Sequence, residues 1–342
     1  MVKSWFKYAA MISVASALCP AAYAAQITSI AILTPEPGTD FGWNQQGINA
    51  ARAAGAKEGV KVMVAENLGY GDVRPTLRDL ADDGAQLIIA HASGYNQAAP
   101  EIGAQANVAV AVTDSPASLK AGKVADYTVG GQEGAYLAGT LAAKMSRSGT
   151  VGIVVSGEPP AWNAQSSAFV RGARAAKKDI NIRYAVIGPA AYSDAAGGKR
   201  VTAAVIAAGA DIIFGQGNGS SFGMLQAVET TPAADGGKVY FIDVIGDKSS
   251  IDKGNLLSSV LWNLTPVYTH MIEDFKQDKF GSHNYKTSLA DGSISLLKTA
   301  HIPDDVWNSV DAVRAQIVSG KITVPADYDA TALHTLLAAG GK

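Results

Sequence analysis

From Ile27 onward, short β-branched runs alternate with longer alanine-rich segments of helical period, and the whole rhythm occurs twice. Nothing else in the sequence constrains the fold as strongly. Candidate strands at 27–33, 60–65, 87–90, 108–112 and 126–129 are spaced by helical patterns at 44–57, 72–83 and 97–105. After a helix over 132–145 the series restarts, with strands at 151–155, 182–187, 211–214 and 239–242 and helices near 166–177, 198–208 and 223–228. Short strands that are apolar on both faces, spaced by helices, require parallel sheets covered on both sides. The pattern therefore predicts an α/β chain of two serial units. A less regular tail follows: a strand at 256–261, a helix at 266–275, strands within 287–297 around the turn Asp291-Gly292, and a helix at 305–319. The last residues, 339–342, are expected to fray. No linker rich in Pro, Ser or charge separates the units, which predicts a packed hinge.

The N-terminus sets the expected compartment. Lys3 and Lys7 precede an apolar run over 8–17 that ends at the small-residue site Ala22-Tyr23-Ala24, the pattern of a secretory signal peptide spanning residues 1–24. That run is too short to span a membrane as a helix, and no later segment approaches ~18 uninterrupted apolar residues. The one cysteine, Cys19, lies inside the signal. Leu18 precedes it where a lipid-modified cysteine normally follows Gly, Ala or Ser, and Pro20 comes next, so a soluble exported protein is expected. Disulfide and thiol chemistry then have no place in the mature chain. The formal charge is −2, removing the signal makes it more negative, and no basic tract is present. Nucleic acid is excluded as a partner on those grounds.

Ligands of open α/β sheets bind beyond the carboxyl ends of the strands. There this chain places flat faces, amides and a few carboxylates. Asp40, Phe41, Trp43 and Asn44 follow the first strand, Ser93 the third and Asp114 the fourth. In the second series come Trp162, then Gly217 and Asn218, then Asp243, and Trp262 closes the tail strand. Indole and phenyl faces stack on planar rings, Asn supplies paired donors and acceptors, and Asp accepts from N–H or O–H groups. Such a set suits a nucleobase or nucleoside, for which an aromatic face contributes roughly 1–3 kcal/mol. A pyranose sugar or a signalling molecule is the alternative within the same chemistry. Asp40 and Asp114 also have a structural reading, since an Asp between strand and helix commonly caps the helix or shapes a turn. The five histidines are scattered without metal-ligand spacing, so no metal or cofactor is expected.

One motif points elsewhere. Gly219-Ser220-Ser221-Phe222-Gly223 fits the nucleophile-elbow pattern between a strand and a helix, with Asp243 and His270, His283 or His301 downstream. It defines a second hypothesis, a secreted serine hydrolase acting through Ser221. Gly215-Gln216-Gly217-Asn218-Gly219 lacks the spacing of a dinucleotide fingerprint and reads as a turn.

Taken in order, the segments TDFGWNQ (39–45), VTDSP (112–116), YTVGGQEGAYLAGTLAAKM (127–145), FGQGNGS (214–220), FIDVIGDKS (241–249) and LLSSVLWN (256–263) resemble the basic membrane protein family of bacterial ABC-transporter substrate-binding proteins, which includes purine nucleoside receptors. The resemblance spans essentially the mature chain. It implies a type I periplasmic-binding fold, with two Rossmann-like lobes joined by three hinge crossovers: residues 25–130 plus about 263–297 in one lobe, and 131–262 plus about 298–342 in the other. It further implies a monomeric, non-enzymatic receptor that delivers its ligand to an inner-membrane ABC permease. The family's purine contacts would fall on Trp43, Asn44, Asp114, Trp162, Gly217 and Asp243. Where purine nucleoside receptors of the family carry a ribose-holding lysine, this chain has Trp262. A free base such as adenine therefore stands beside a nucleoside as the expected ligand.

Overall fold

The computed structural model describes Met1 and residues 26–339. The expected signal peptide with Cys19, and the end of the chain beyond Ala339, lie outside the described residues. Strands β1 (Ser29–Leu33), β2 (Lys61–Ala65), β3 (Leu87–Ala90), β4 (Ala109–Thr113) and β5 (Val124–Thr128) alternate with helices α1 (Trp43–Glu58), α2 (Arg74–Asp82) and α3 (Ala98–Ala106). Helix α4 (Gly131–Met145) carries the chain into a second series of strands: β6 (Thr150–Val155), β7 (Asn181–Val186), β8 (Ile212–Gln216), β9 (Tyr240–Ile245) and β10 (Leu256–Trp262). Helices α5 (Pro160–Ala176), α6 (Ala195–Ala207) and α7 (Ser220–Thr230) lie between them. The tail holds α8 (Thr265–Lys276), β11 (Asn284–Lys286), β12 (Ile294–Leu296), α9 (Asp304–Val318) and α10 (Ala330–Ala338).

These strands form two six-stranded sheets, ordered β11-β5-β4-β3-β1-β2 and β12-β10-β9-β8-β6-β7. Every pairing is parallel except β10 with β12. The chain passes between sheets three times: through α4, through α8, and over residues 287–293. Residues of β1, β3 and β4 are buried on both faces, each large aliphatic side chain stabilising the fold by roughly 1.5–3 kcal/mol. One apolar core runs continuously from Ile30 and Ile32 of the first sheet through Trp262 and Tyr268 to Val260 and Ile153 of the second. Separate clusters fill the outer faces under α2 and α3 and under α6 and α7.

Three local differences from the sequence expectations bear on the site. Residues 287–297 do not form a hairpin, because β11 adds to the edge beside β5 while β12 pairs antiparallel with β10 in the other sheet. Each strand satisfies an exposed sheet edge, which a hairpin of its own would leave open. As a result the chain rejoins the second sheet at Ile294, before residue 297. Helix α5 begins at Pro160, six residues before the expected 166, since proline's fixed φ and missing N–H suit a first turn. Trp162 and Asn163 are thereby helical. Helix α10 was not anticipated. It rests on α5 through Leu333, and the Arg174 guanidinium donates to the carbonyls of Leu336 at 2.7 Å and Leu337 at 3.3 Å.

Candidate functional site

The carboxyl ends of the two sheets face each other across a cavity of about 130 Å³. Of the residues singled out from sequence, Trp43, Ser93, Asp114, Trp162, Asn218 and Trp262 line it. Tyr70, Thr113, Tyr192 and Ile245 line it as well and were missed. Tyr70 and Tyr192 follow β2 and β7, so the strand-end rule that selected the others would have found them. Their rings stand 6.0 Å apart across the two lobes.

The first-lobe wall is built on the start of α1. Asp40 acts as its cap: one carboxylate oxygen accepts from the backbone N–H groups of Gly42 and Gln45, both at 3.0 Å, and the other from the Asn44 N–H at 3.1 Å and its amide at 2.8 Å. Asp40 and Asn44 are buried and brace each other, and neither lines the cavity. What the cap presents is Trp43. The indole stacks on His91 with centroids 3.8 Å apart and planes 11° apart, and its N–H donates to the His91 carbonyl at 2.9 Å. Gly47 permits this, since a Cβ there would lie 2.3 Å from His91 Nε2.

Asp114, just beyond β4, turns into the cavity on a left-handed backbone with φ of 52°. It keeps accessible surface, but that surface opens on the cleft. Crowding by protein, and secondarily the Asp126 carboxylate, push its carboxyl up to about 6. Among the described residues no cation pairs with it.

On the second-lobe wall Trp162 meets Tyr192 edge-on at 5.4 Å, and Trp262 meets Trp43 edge-on at 6.0 Å and 84°. Trp262 Nε1 and Asn218 Oδ1 are buried without a hydrogen-bond partner. Gly217 lies behind Asn218, where a Cβ would overlap Ser220 Oγ, and it does not line the cavity. Asp243 is fully buried and ion-paired with Lys248, also fully buried. Burial pushes the Asp243 carboxyl up and the Lys248 ammonium opposes the shift. Lys248 escaped the sequence reading, and the partner it gives Asp243 is one that a buried carboxylate requires. Its ammonium also donates to the Phe41 carbonyl at 3.3 Å, tying the lobes together. Phe41 packs edge-on against Phe222 at 6.1 Å, and the Phe41 carbonyl sits so close over Gly246 that a Cβ there would be 1.9 Å away. A further link between lobes joins Ser193 to Glu36. Phe41 and Ile245 both have positive φ, 49° and 77°. Left-handed backbone at a β-branched residue is strained, and here it falls at the cleft.

The arrangement around Ser221 does not fit a nucleophile. Its hydroxyl is buried and donates to the Asn218 carbonyl at 2.7 Å, and Asp243 is engaged by Lys248. Among the described residues no histidine hydrogen-bonds to Ser221, and no group of three His, Cys, Asp or Glu converges as metal ligands. No described helix is long and apolar enough to cross a membrane.

Residues 27–328 match the family described as ABC transporter substrate-binding protein PnrA-like. The chain is 26% identical over 214 residues to an ABC transporter nucleoside-binding protein of Lactococcus lactis, covering 59% of this chain and 60% of that one. It is 24% identical over 308 residues to a purine-binding protein of Brucella abortus, covering 88% and 84%. A solute-binding protein of an ABC transporter system from Aeropyrum pernix K1 superposes with a TM-score of 0.77 at 18% identity, covering 92% of this chain and 98% of that one.

Proposed function

Since the chain belongs to the PnrA-like family of ABC transporter substrate-binding proteins, we propose that its cleft binds a purine-like heterocycle, with a free base such as adenine favoured over its nucleoside. One observation carries this reading: the cavity is walled by Trp43, Trp162 and Trp262, with Asn218 and the carboxylate of Asp114 among its lining, while Asn218 Oδ1 and Trp262 Nε1 are buried without a partner. Broad aromatic walls suit a planar ring, and the three polar groups suit a ring edge with its own donors and acceptors. An indole in place of a ribose-holding lysine withdraws the cation a sugar would use. The name of the Brucella relative supports the purine class, and that of the Lactococcus relative supports a nucleoside.

The receptor works by closure. Both lobes touch the same ligand only when the cleft is shut, so ligand binding shifts the population toward the closed form. The signal-like residues 1–24 support export of the mature chain to the periplasm, where it would hand the ligand to an inner-membrane permease as a monomer. No bond is made or broken in this role.

Calorimetric titration of the mature protein with adenine, adenosine and a hexose tests it. Adenine is expected to bind, with adenosine at least about tenfold weaker. Heat from the hexose alone would transfer the cleft to sugar recognition, and tighter binding of adenosine would overturn the preference for a bare base.

A further inference from the structure

His91 does not line the cavity, yet it contacts Trp43 in three ways. The imidazole lies face to face with the indole at 3.8 Å. The Trp43 N–H donates to the His91 carbonyl at 2.9 Å, and His91 Nε2 lies 2.8 Å from the Trp43 carbonyl. A carbonyl oxygen only accepts, so Nε2 carries the proton and Nδ1 is left as an acceptor. Two tyrosine hydroxyls converge on Nδ1: Tyr127 of β5 at 2.6 Å and Tyr268 of α8 at 2.9 Å. Full burial pushes the imidazole down to about 4, so the neutral ring required by this proton count is the one present at neutral pH.

Each half of the device fixes a different freedom of Trp43. The bond from Nε2 to the Trp43 carbonyl holds the backbone of the first residue of α1. The stack and the indole hydrogen bond hold the ring, closing both torsions of the side chain. Tyr127 and Tyr268 prevent the imidazole itself from turning, and Tyr268 ties the set to the second passage between the lobes. Binding free energy is greatest when the receiving surface is ordered beforehand.

We infer that His91 is a positioning residue: by stacking on the Trp43 ring and bonding its carbonyl, it fixes the orientation of the indole in the cleft before any ligand arrives. The inference rests on the reading of Trp43 as the ring against which the ligand stacks, but its test is independent of ligand.

The mature protein labelled with 15N at tryptophan supplies it. The Trp43 indole resonance is identified by its loss in Trp43→Phe. In the unmodified protein this N–H should exchange slowly with solvent in the absence of ligand. His91→Phe keeps a ring face and loses Nε2–H, whereas His91→Gln keeps an amide donor and loses the face. Each should speed exchange of the Trp43 indole about tenfold and weaken adenine binding about tenfold, the size of one aromatic or hydrogen-bonded contact. The Trp307 indole, on the distant α9, should not move. An unchanged Trp43 resonance in both variants overturns the inference, as does a uniform change of all indoles, which would mean that His91 only supports the fold. Should neither variant fold, Tyr127→Phe frees one restraint on Nδ1 and should shift the Trp43 resonance in the same direction by less; no shift there is equally fatal. If adenine fails to bind the unmodified protein, the ligand reading falls while the indole exchange still decides the role of His91.

Discussion

The two walls of the cleft differ in how completely their polar groups are used. On the first, Trp43, Asn44, Asp40 and His91 satisfy one another through hydrogen bonds, and of its cavity-lining side chains only Thr113 has a buried oxygen without a partner. On the second, the cavity-lining Asn218 and Trp262 each hold a buried polar atom without a partner, as do Ser156, Gln216, Ser220 and Asp243, which do not line it. A buried polar atom without a partner costs about 1–3 kcal/mol. The first wall is therefore the more nearly satisfied as folded, with Thr113 and the Asp114 carboxylate as its exceptions, and the second carries the larger polar deficit. The contrast is one of polar satisfaction and not of aromatic lining, since indoles stand on both walls, Trp43 on the first and Trp162 and Trp262 on the second.

Substitutions can break or sharpen that contrast. The largest effect is expected where the second wall depends on one ion pair: Lys248→Ala strands the Asp243 carboxylate and should lower unfolding free energy by about 3–5 kcal/mol in urea titrations. Wild-type stability in that variant would mean the pair does not hold the wall. Asn218→Ala should do the reverse, weakening adenine binding by about 1–1.5 kcal/mol while leaving unfolding unchanged or slightly more costly, because it removes an unsatisfied oxygen. On the first wall Trp43→Phe should reduce stability by about 1 kcal/mol even without ligand, through loss of the bond to the His91 carbonyl. If Asn218→Ala and Trp43→Phe moved stability and binding in equal proportion, the walls would not differ as described.

The smallest effect concerns pH. Asp114 is pushed up to about 6 from an ordinary 3.8, so over that interval the folded chain retains a proton that the unfolded chain has released. Its contribution makes stability fall as pH rises between those two values and level off above them. Asp114→Asn should flatten that slope in melts taken across the interval. A ligand N–H on the carboxylate favours its ionised form, so binding should tighten over the same rise in pH, and a binding profile that weakens instead would remove Asp114 from ligand contact.

Much of this architecture could be read from the sequence because it depends on local signals. The strand at 87–90 coincides with β3, and Gly59, which ends α1 in a left-handed conformation, stops the helix close to the expected Lys57. Aromatic and amide residues at strand ends located the cavity for the same reason, since topology alone puts those ends together. What sequence could not supply was the destination of side chains. The capping reading of Asp40 was open to sequence, but the turning of Asn44 away from the cavity depends on how the 34–42 loop closes. His91 became important through a glycine 44 positions earlier and a tyrosine 177 positions later. Lys248 looks like a surface residue beside Asp247, yet burial brings it back to Asp243 five positions upstream. The strands at 284–286 and 294–296 were hardest to assign, because two short segments either side of a turn look the same whether they pair with each other or with different sheets.

At Gly246 the two lobes meet backbone to backbone. With the Phe41 carbonyl resting where a methyl group would have to go, the width of a bare backbone would be the thickness of the stop in the proposed closure. Gly246→Ala would insert a one-carbon wedge there and leave the receptor ajar, visible as a larger radius of gyration by solution scattering at saturating ligand. Such a variant, with every cavity-lining side chain unchanged, would separate the chemistry of recognition from the mechanics of capture, and fused to a reporter pair it would be the matched non-responding control for a sensor built on this protein.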